Sequence, residues 1–229
     1  MKVVTLLCRG TSLKYINKLD IADHTVIVNS FYNELEDTNI QTYLSSSKTI
    51  DHVVSLGTET LHQMVTSGTY QQYNFRRIVL PYIKEVLPGI PRFLFDVEGT
   101  NGILPVHCLQ DINKEDMIST PRYKFTAPSC GMDALLYCAN ELQPETINIV
   151  GMDFYDNSGY YINSALGLKP DRVTDEQAIA TAQRQEHTTG YMKDFFLNFV
   201  ERKSNIQFNL YTTSYIKHKN NNLKVNHYE

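Results

Sequence analysis

The chain has 229 residues, of which 42% are hydrophobic and 20% are charged, so it is long enough to bury a core of its own. Its net charge of −4 and pI near 6.0 argue against nucleic acid as a partner, because a nucleic-acid interface would need a basic patch. The sequence contains no run of 18 apolar residues and only a short apolar stretch at its amino terminus, so it predicts neither a transmembrane segment nor a signal peptide. We therefore expect a soluble protein of the cytoplasm.

The predicted elements alternate along the chain between strands and helices. Apolar β-branched runs bounded by turn residues predict strands at 3–7, 25–28, 52–56, 77–80, 146–150 and 206–211. Helical periodicity fits 12–19, 58–66, 131–142 and 174–202, the last broken near Gly190. Near-continuous apolar strands separated by helices are typical of a mostly parallel sheet covered on both faces. The predicted fold class is α/β, a single Rossmann-like domain with helices flanking the sheet.

Composition divides the chain into one domain at 1–216 and a tail. Prolines and glycines cluster at about 87–122, which predicts an irregular insertion, and a lid loop is expected at about 156–186. The stretch 217–229 is polar and asparagine-rich, and we expect it to be frayed or only loosely docked.

The four cysteines are Cys8, Cys108, Cys130 and Cys138. Their spacing shows neither a metal-binding CxxC pair nor the density of a disulfide framework. We expect all four to be reduced.

The loop CRGTSL at 8–13 follows the first predicted strand. Gly10 allows a close backbone approach, and Thr11 or Ser12 can cap the next helix, which leaves amide donors for a phosphate. Arg9 adds either an anion contact or a solvated loop cation. An ordinary capped turn between strand and helix explains the same residues.

Two further positions are candidate nucleotide contacts. Asn29 ends the second strand in VNSFY, where its amide either bonds a base or sugar or forms a turn. Ser129, in PSCG, is placed to cap the helix that begins with Cys130 and Gly131, whose amides would then face a phosphate.

The stretch INIVGMDFY reads as a buried strand that delivers Asp153 and Tyr155 to the carboxyl edge of the sheet, where open α/β folds bind ligands. Tyr155 and Tyr161 lie six residues apart around a loop and could turn two hydroxyls toward one anion. A phenol donates a hydrogen bond while it stays neutral at pH 7. Packing of tyrosine rings in an ordinary loop is the alternative.

His187 precedes an apolar helical face formed by Phe195, Phe196 and Phe199. An imidazole there suits proton abstraction at neutral pH. A structural or surface role is the ordinary one for any single histidine of the seven in the chain, and the pattern alone does not select His187.

Taken together, these blocks resemble the bacterial sialyltransferases of glycosyltransferase family 42. The resemblance is carried by CRGTSL, VNSFY, IVGMDFY with a second tyrosine six positions on, and a histidine before an aromatic-rich helix. PSCG is similar to the PSTG opening of the small sialyl motif in family 29. The resemblance implies metal-independent, inverting transfer of a sialic acid from a CMP donor to a glycan hydroxyl, on a variant of the GT-A fold.

The resemblance also implies a role for each matched residue. His187 would be the general base, and Tyr155 and Tyr161 would hold the leaving phosphate. The donor contacts would be Arg9, Gly10, Thr11, Ser12, Asn29, Ser129, Cys130, Gly131 and Asp153. No cofactor or metal is expected, because tyrosine hydroxyls would replace a cation. The expected partners are CMP-sialic acid, a glycan acceptor and, by analogy, further copies of the chain.

Three alternatives stay open at this point. Arg9 stands where the family commonly has asparagine, so the donor could be another CMP-activated keto-sugar such as Kdo. Pterin pyrophosphokinase-like enzymes share the first loop and a late strand that ends in aspartate, but they require a metal. A nucleotide-binding module without turnover is the third alternative.

Overall fold

The computed structural model describes residues 2–54, 58–81, 104–109, 129–154, 156 and 189–227. Eight strands within these ranges form one sheet in the order β5-β4-β3-β2-β1-β6-β7-β8, and every neighbouring pair is parallel. The strands are β1 (Val3–Leu7), β2 (His24–Val28), β3 (Ile50–Val53), β4 (Phe75–Pro81), β5 (Val106–Leu109), β6 (Thr146–Val150), β7 (Gln207–Thr212) and β8 (Leu223–His227). The predicted α/β class with a parallel sheet is confirmed.

Helices connect these strands and cover the sheet. The α-helices are α1 (Thr38–Ser46), α2 (Thr58–Thr66), α3 (Thr69–Gln72), α4 (Cys130–Tyr137) and α5 (Thr189–Arg202). A π-helical segment, Cys138–Leu142, continues α4, and two 3-10 helices, Thr11–Lys18 and Phe31–Glu36, follow β1 and β2. The predicted helix at 58–66 is confirmed, whereas the first part of the one predicted at 174–202 lies outside the described residues.

The order of the strands reverses between β1 and β6. From β1 the chain adds β2 to β5 on one side, and from β6 it adds β7 and β8 on the other. The two central strands pair in register from Val3 with Thr146 to Leu7 with Val150, so their carboxyl ends lie side by side. A reversal of this kind opens a crevice beyond the strand ends, where doubly wound folds bind ligands.

The core consists of two apolar clusters, one on each face of the sheet. Along β1 the side chains alternate between them, with Val4 and Leu6 in the cluster that includes α4 and α5, and Leu7 in the cluster that includes the first 3-10 helix and α1 to α3. Burial on both faces explains why the strand reads as an unbroken apolar run. Helix α4 is itself fully enclosed, since the seven residues Cys130 and Met132–Tyr137 are all buried.

The segment predicted as an irregular insertion at about 87–122 contains a strand. Within its described part, β5 runs parallel to β4, and the Ile78 backbone N–H donates to the Pro105 carbonyl oxygen at 3.0 Å. Proline is tolerated at the start of an edge strand because its missing N–H is not needed there. The many prolines and glycines of this segment therefore masked the sequence signal of a short edge strand. The remainder of the segment lies outside the described residues.

The expectation of a frayed or loosely docked tail is wrong for 223–227, which form the last strand of the sheet. Strand β8 pairs with β7, from Phe208 opposite Leu223 to Thr212 opposite His227. Just before β8, the Asn222 side-chain amide donates to the carbonyl oxygens of Val200, Lys203 and Ile206 at 2.9–3.1 Å. Asn222 thus satisfies the Val200 carbonyl in the last turn of α5, which a helix cannot satisfy internally, and joins the turn that follows α5 to the start of β8.

Candidate functional site

A pocket opens at the carboxyl edge of the sheet, at the reversal between β1 and β6. It is formed by the loops that follow β1, β2 and β6, by the amino terminus of α4 and by one residue of α5. Its lining residues are Cys8, Arg9, Gly10, Val28, Asn29, Ser129, Cys130, Gly131, Gly151, Met152, Asp153, Phe154 and Met192. Seven of the nine predicted donor contacts are among them, the exceptions being Thr11 and Ser12.

The loops after β1 and β6 touch so closely that glycine is required on both sides. The Gly10 N–H donates to the Gly151 carbonyl oxygen at 2.7 Å, and a Cβ on Gly10 would lie 2.5 Å from Asp153 Oδ2. Gly151 has a φ of +76°, and a Cβ there would lie 2.2 Å from the Cys8 carbonyl oxygen. Both contacts are far inside van der Waals range, so the floor of the pocket depends on bare backbone.

Asp153 joins three loops through its carboxylate. Oδ2 accepts from the Ser12 N–H at 2.7 Å and from the Thr11 hydroxyl at 3.4 Å. Oδ1 accepts from the Thr212 hydroxyl at 2.9 Å and from the Thr213 N–H at 3.0 Å. The residue is 5% exposed, so these charge-assisted bonds form largely away from water. Asp153 thereby fixes the loops after β1, β6 and β7 relative to one another.

Thr11 and Ser12 lie behind the wall of the pocket. Ser12 is completely buried, and its hydroxyl accepts a hydrogen bond from the Gly151 N–H at 3.0 Å. The predicted helix cap is therefore absent, and the described N-cap of this 3-10 helix is Gly10, which has no side chain to donate or accept. Both residues therefore help to join the loop after β1 to the loop after β6, Thr11 through Asp153 and Ser12 through Gly151.

Helix α4 points its amino terminus into the pocket. Ser129 caps it as predicted, since its hydroxyl accepts from the Met132 N–H at 3.4 Å, and the next two residues, Cys130 and Gly131, line the pocket. The backbone N–H groups and the dipole at the start of a helix suit an anion such as a phosphate. A Cβ on Gly131 would lie 3.1 Å from Cys8 Sγ, so glycine lets α4 pack tightly against the end of β1.

The pocket thiols are reduced and shielded. Cys8, Cys130 and Cys138 are free and buried, as predicted, while the Cys108 side chain is not among those described. Burial raises the pKa of the Cys8 thiol far above its ordinary value. Cys8 and Cys130 therefore behave as small apolar residues in the pocket wall rather than as nucleophiles, and Cys138 lies in the core away from the pocket.

Arg9 forms a shielded ion pair at the mouth of the loop after β1. Its Nε donates to Glu34 Oε1 at 2.8 Å, and the side chains are 11% and 0% exposed. The alternative of a solvated loop arginine is therefore wrong. The pair places a guanidinium in the pocket wall and orients it through an acid from the 3-10 helix after β2.

Asn29 lies at the end of β2 with a φ of +43°, which is unusual for a residue other than glycine. Its N–H donates to the Val53 carbonyl oxygen at 2.9 Å, and its own carbonyl accepts from the Phe31 N–H at 2.7 Å. The same carbonyl lies 2.6 Å from His52 Nε2, and His52 Nδ1 lies 2.7 Å from the Tyr70 hydroxyl. Burial lowers the pKa of His52 to about 4, so the ring is neutral at pH 7.

Two groups of residues remain, the predicted catalytic residues and the site residues that sequence analysis missed. The proposed catalytic residues Tyr155, Tyr161 and His187 lie outside the described residues. His52 and Met192 were not singled out by their sequence. For Met192 the signal was present, since it lies on the apolar face of α5.

Within the described ranges, no group of three or more histidine, cysteine, aspartate or glutamate side chains is arranged to hold a metal ion. The helices of those same ranges include none that is both long and apolar enough to cross a membrane.

Sequence comparison finds no matching protein-family model and no matching curated protein. Solved structures do match. One is the sialyltransferase CstII from Campylobacter jejuni in complex with the substrate analogue CMP-3FNeuAc, with 17% identity, 93% of this chain and 82% of that chain covered, and a TM-score of 0.59. A second CstII structure from the same organism, in complex with cytidine-5'-monophosphate, has 17% identity, 97% and 86% coverage, and a TM-score of 0.58. A third, CST-II in complex with a trisaccharide acceptor and CMP, has 18% identity, 93% and 82% coverage, and a TM-score of 0.56.

The parallel sheet, the reversal of strand order and the pocket beyond it define a doubly wound, GT-A-like α/β fold. More particularly, the chain has the fold of the sialyltransferase CstII over nearly its whole length.

Proposed function

We propose that this protein is a glycosyltransferase that moves a sialic acid, or a related keto-sugar, from a CMP-sugar donor to a hydroxyl of a glycan acceptor. The observation that carries the proposal is the pocket at the β1–β6 reversal. It is built from the very loops that resemble the family's donor site, within a fold whose solved examples include complexes with CMP, a CMP-sugar analogue and a trisaccharide acceptor.

The chemistry of the pocket wall supports an anionic nucleotide as its ligand. The amides at the start of α4, behind the Ser129 cap, offer donors to a phosphate. The Arg9 guanidinium adds positive charge on the opposite loop, oriented by Glu34. Asn29 supplies an amide for the base or the sugar. The chain's net charge is −4, so an anion must be attracted by these local groups rather than by the whole protein.

In the proposed reaction, the acceptor hydroxyl attacks the anomeric carbon of the donor sugar from the face opposite the phosphate. The new C–O bond forms as the bond to the CMP phosphate breaks, which inverts the anomeric configuration. His187 would take the proton of the hydroxyl, and Tyr155 and Tyr161 would donate hydrogen bonds to the departing phosphate. These roles rest on the family resemblance. They are supported by two residues that line the pocket: Phe154, which directly precedes Tyr155, and Met192, which follows His187 by five residues.

No metal is required in this scheme, because neutral phenol hydroxyls and helix amides would stabilise the negative charge of the leaving group. The pocket's one described carboxylate, Asp153, is already engaged by four donors from the protein. That arrangement disfavours Asp153 as a cation ligand and argues against the metal-dependent pyrophosphokinase alternative.

The test is release of CMP from CMP-sialic acid by the purified protein in EDTA, with a galactoside acceptor supplied. We expect turnover that EDTA does not reduce and that His187→Ala abolishes while CMP affinity is retained. His62→Ala, on helix α2, is the matched control and should turn over normally. Turnover only with added Mg²⁺, or normal turnover of His187→Ala, would contradict the scheme.

A further inference from the structure

Two residues that line the pocket and carry a side chain have a positive φ, Phe154 and Asn29, and the polar one is Asn29. Its φ of +43° belongs to the left-handed region, where residues with a side chain are disfavoured. Asparagine tolerates this region better than most residues but still prefers others. Such an outlier persists only where its surroundings over-determine it, and this is common at ligand sites.

Hydrogen bonds hold the Asn29 backbone on both sides. The N–H is bound by the Val53 carbonyl of the neighbouring strand, and the carbonyl closes a three-residue turn with the Phe31 N–H. His52 then adds a third contact from β3, with Nε2 2.6 Å from the same carbonyl oxygen. His52 is wholly buried, so no water competes for this bond.

The partners of His52 settle its tautomer. A carbonyl oxygen can only accept, so the ring nitrogen facing Asn29, Nε2, must carry the proton. In the neutral ring the other nitrogen, Nδ1, is then an acceptor, and the Tyr70 hydroxyl 2.7 Å away must donate to it. Tyr70 is itself buried, at 3% exposed. The result is a directed chain of donors from Tyr70 through His52 to Asn29.

We propose that His52 and Tyr70 are positioning residues of the donor site, which hold Asn29 in its left-handed conformation so that its side-chain amide contacts the donor nucleotide. Neither residue reaches the ligand, since both lie behind the pocket wall in the second apolar cluster or in β3. They act through the Asn29 carbonyl alone. This inference rests on the proposed function, which supplies the nucleotide.

The test is a double-mutant cycle on CMP affinity, with wild type, Tyr70→Phe, Asn29→Gly and the double variant measured by calorimetry in EDTA. Asn29→Gly should weaken CMP binding about tenfold, the loss expected for one hydrogen bond to the ligand. Tyr70→Phe should weaken binding about three- to tenfold, because it removes the donor that fixes the His52 tautomer. In the Asn29→Gly background, Tyr70→Phe should have no further effect, since glycine adopts the conformation freely and has no amide to position.

A merely structural Tyr70 would give another pattern. Equal losses of CMP affinity from Tyr70→Phe in both backgrounds would overturn the positioning role, and unchanged affinity of Asn29→Gly would overturn the contact itself. If the wild type does not bind CMP, the proposed function itself is contradicted. The wild type is titrated first, so this outcome is distinguished from failure of the positioning role alone. All affinities are taken at a temperature at which near-ultraviolet circular dichroism shows each variant folded.

A control and a spectroscopic measurement complete the design. Tyr73→Phe is the matched control. Tyr73 is also buried in the second cluster, but the two ring nitrogens of His52 are engaged by Tyr70 and Asn29, so the Tyr73 hydroxyl has no part in the chain of donors. Its CMP affinity should equal that of the wild type. Nitrogen-15 NMR of His52 should show a neutral ring protonated at Nε2 in the wild type. A ring protonated at Nδ1, or at both nitrogens, would overturn the directed chain.

Discussion

Asp153 Oδ2 accepts a hydrogen bond of 2.7 Å from the Ser12 backbone N–H, which joins two residues 141 positions apart in the chain. The bond crosses the reversal point of the sheet, because Ser12 follows β1 and Asp153 follows β6. With the bonds from Thr212 and Thr213 to Oδ1, one carboxylate connects three loops at the carboxyl edge. The shape of the candidate donor pocket therefore depends on this side chain.

Asp153→Asn tests that dependence. Asparagine has the size of aspartate but no charge, so the charge-assisted hydrogen bonds are lost. Its NH2 group also replaces one of the two acceptor oxygens and would face the donors that this oxygen binds. We expect a loss of about 2–4 kcal/mol in the free energy of unfolding, measured by urea denaturation. Asp156→Asn is the control, because the Asp156 carboxylate is partly exposed and, among the described residues, pairs with Lys193. Its cost should stay below about 1 kcal/mol, and equal losses for the two variants would contradict the account.

Gly151→Ala tests the close approach of the loops after β1 and β6. The added Cβ would lie 2.2 Å from the Cys8 carbonyl oxygen, at a φ of +76° that alanine adopts poorly. We expect a loss of several kcal/mol, roughly 3 or more, or no folded protein at all. Gly190→Ala is the matched control on helix α5, where a Cβ meets no atom of the described residues within 4 Å. It should be neutral or stabilising by up to about 1 kcal/mol. A folded Gly151→Ala protein of wild-type stability would refute the required contact.

His52 predicts a specific dependence of stability on pH. Its pKa falls from 6.5 when unfolded to about 4 in the fold, because of burial. Between these values the unfolded chain binds a proton that the native protein does not, so stability is complete above pH 6.5 and falls as the pH drops toward 4. The full shift corresponds to about 3 kcal/mol. Asp51 contributes in a lower window. Burial raises its pKa, but hydrogen bonds from His24, Arg76 and Tyr137 outweigh burial and hold it well below 3.8, so its contribution is lost only under more acidic conditions.

The measurement is urea denaturation of wild type and His52→Gln at pH 7 and pH 5. The wild type should lose more stability over this interval than the variant, by about 2 kcal/mol. Identical losses would show that His52 does not titrate as its burial requires.

Asn222→Ala tests the ordered tail. The variant removes the amide that donates to one carbonyl oxygen in the last turn of α5 and to two in the turn after it, so we expect a loss of about 1–2 kcal/mol in the free energy of unfolding. Asn221→Ala removes the same group from an exposed neighbour and should change stability by less than about 0.5 kcal/mol. Fast hydrogen exchange of the β8 amides in the wild type would contradict the paired strand.

Much of the central sheet could be predicted from the sequence, because its strands are buried on both faces. The bounds of β1 and β6 agree with the prediction, since each is a run of five residues in which apolar side chains predominate. Loops that follow such strands meet at one edge, which is why Arg9, Asn29 and Asp153 were placed together correctly. Strands β5 and β8 lacked that signal, because β5 lies in a segment rich in proline and glycine and β8 is an edge strand with three polar residues among its five.

The roles of individual site residues could not be predicted in the same way. Asp153 and Ser12 are distant in sequence, and only the fold shows that the carboxylate binds a backbone amide rather than facing the pocket alone. His52 was assigned to a predicted strand that began there, whereas β3 begins at Ile50, and no sequence pattern indicates which carbonyl its ring meets. Hydrogen bonds between separate strands are products of the tertiary structure, not of local propensity.

The most direct test of the central claim is titration of CMP into the wild-type protein in EDTA, with AMP as the comparison nucleotide. The account predicts saturable, one-to-one CMP binding without a metal, and AMP binding at least about tenfold weaker, because a pocket whose hydrogen bonds fit cytosine leaves polar groups unpaired with adenine. Binding that appears only when Mg²⁺ is added, or equal affinity for AMP, would contradict it.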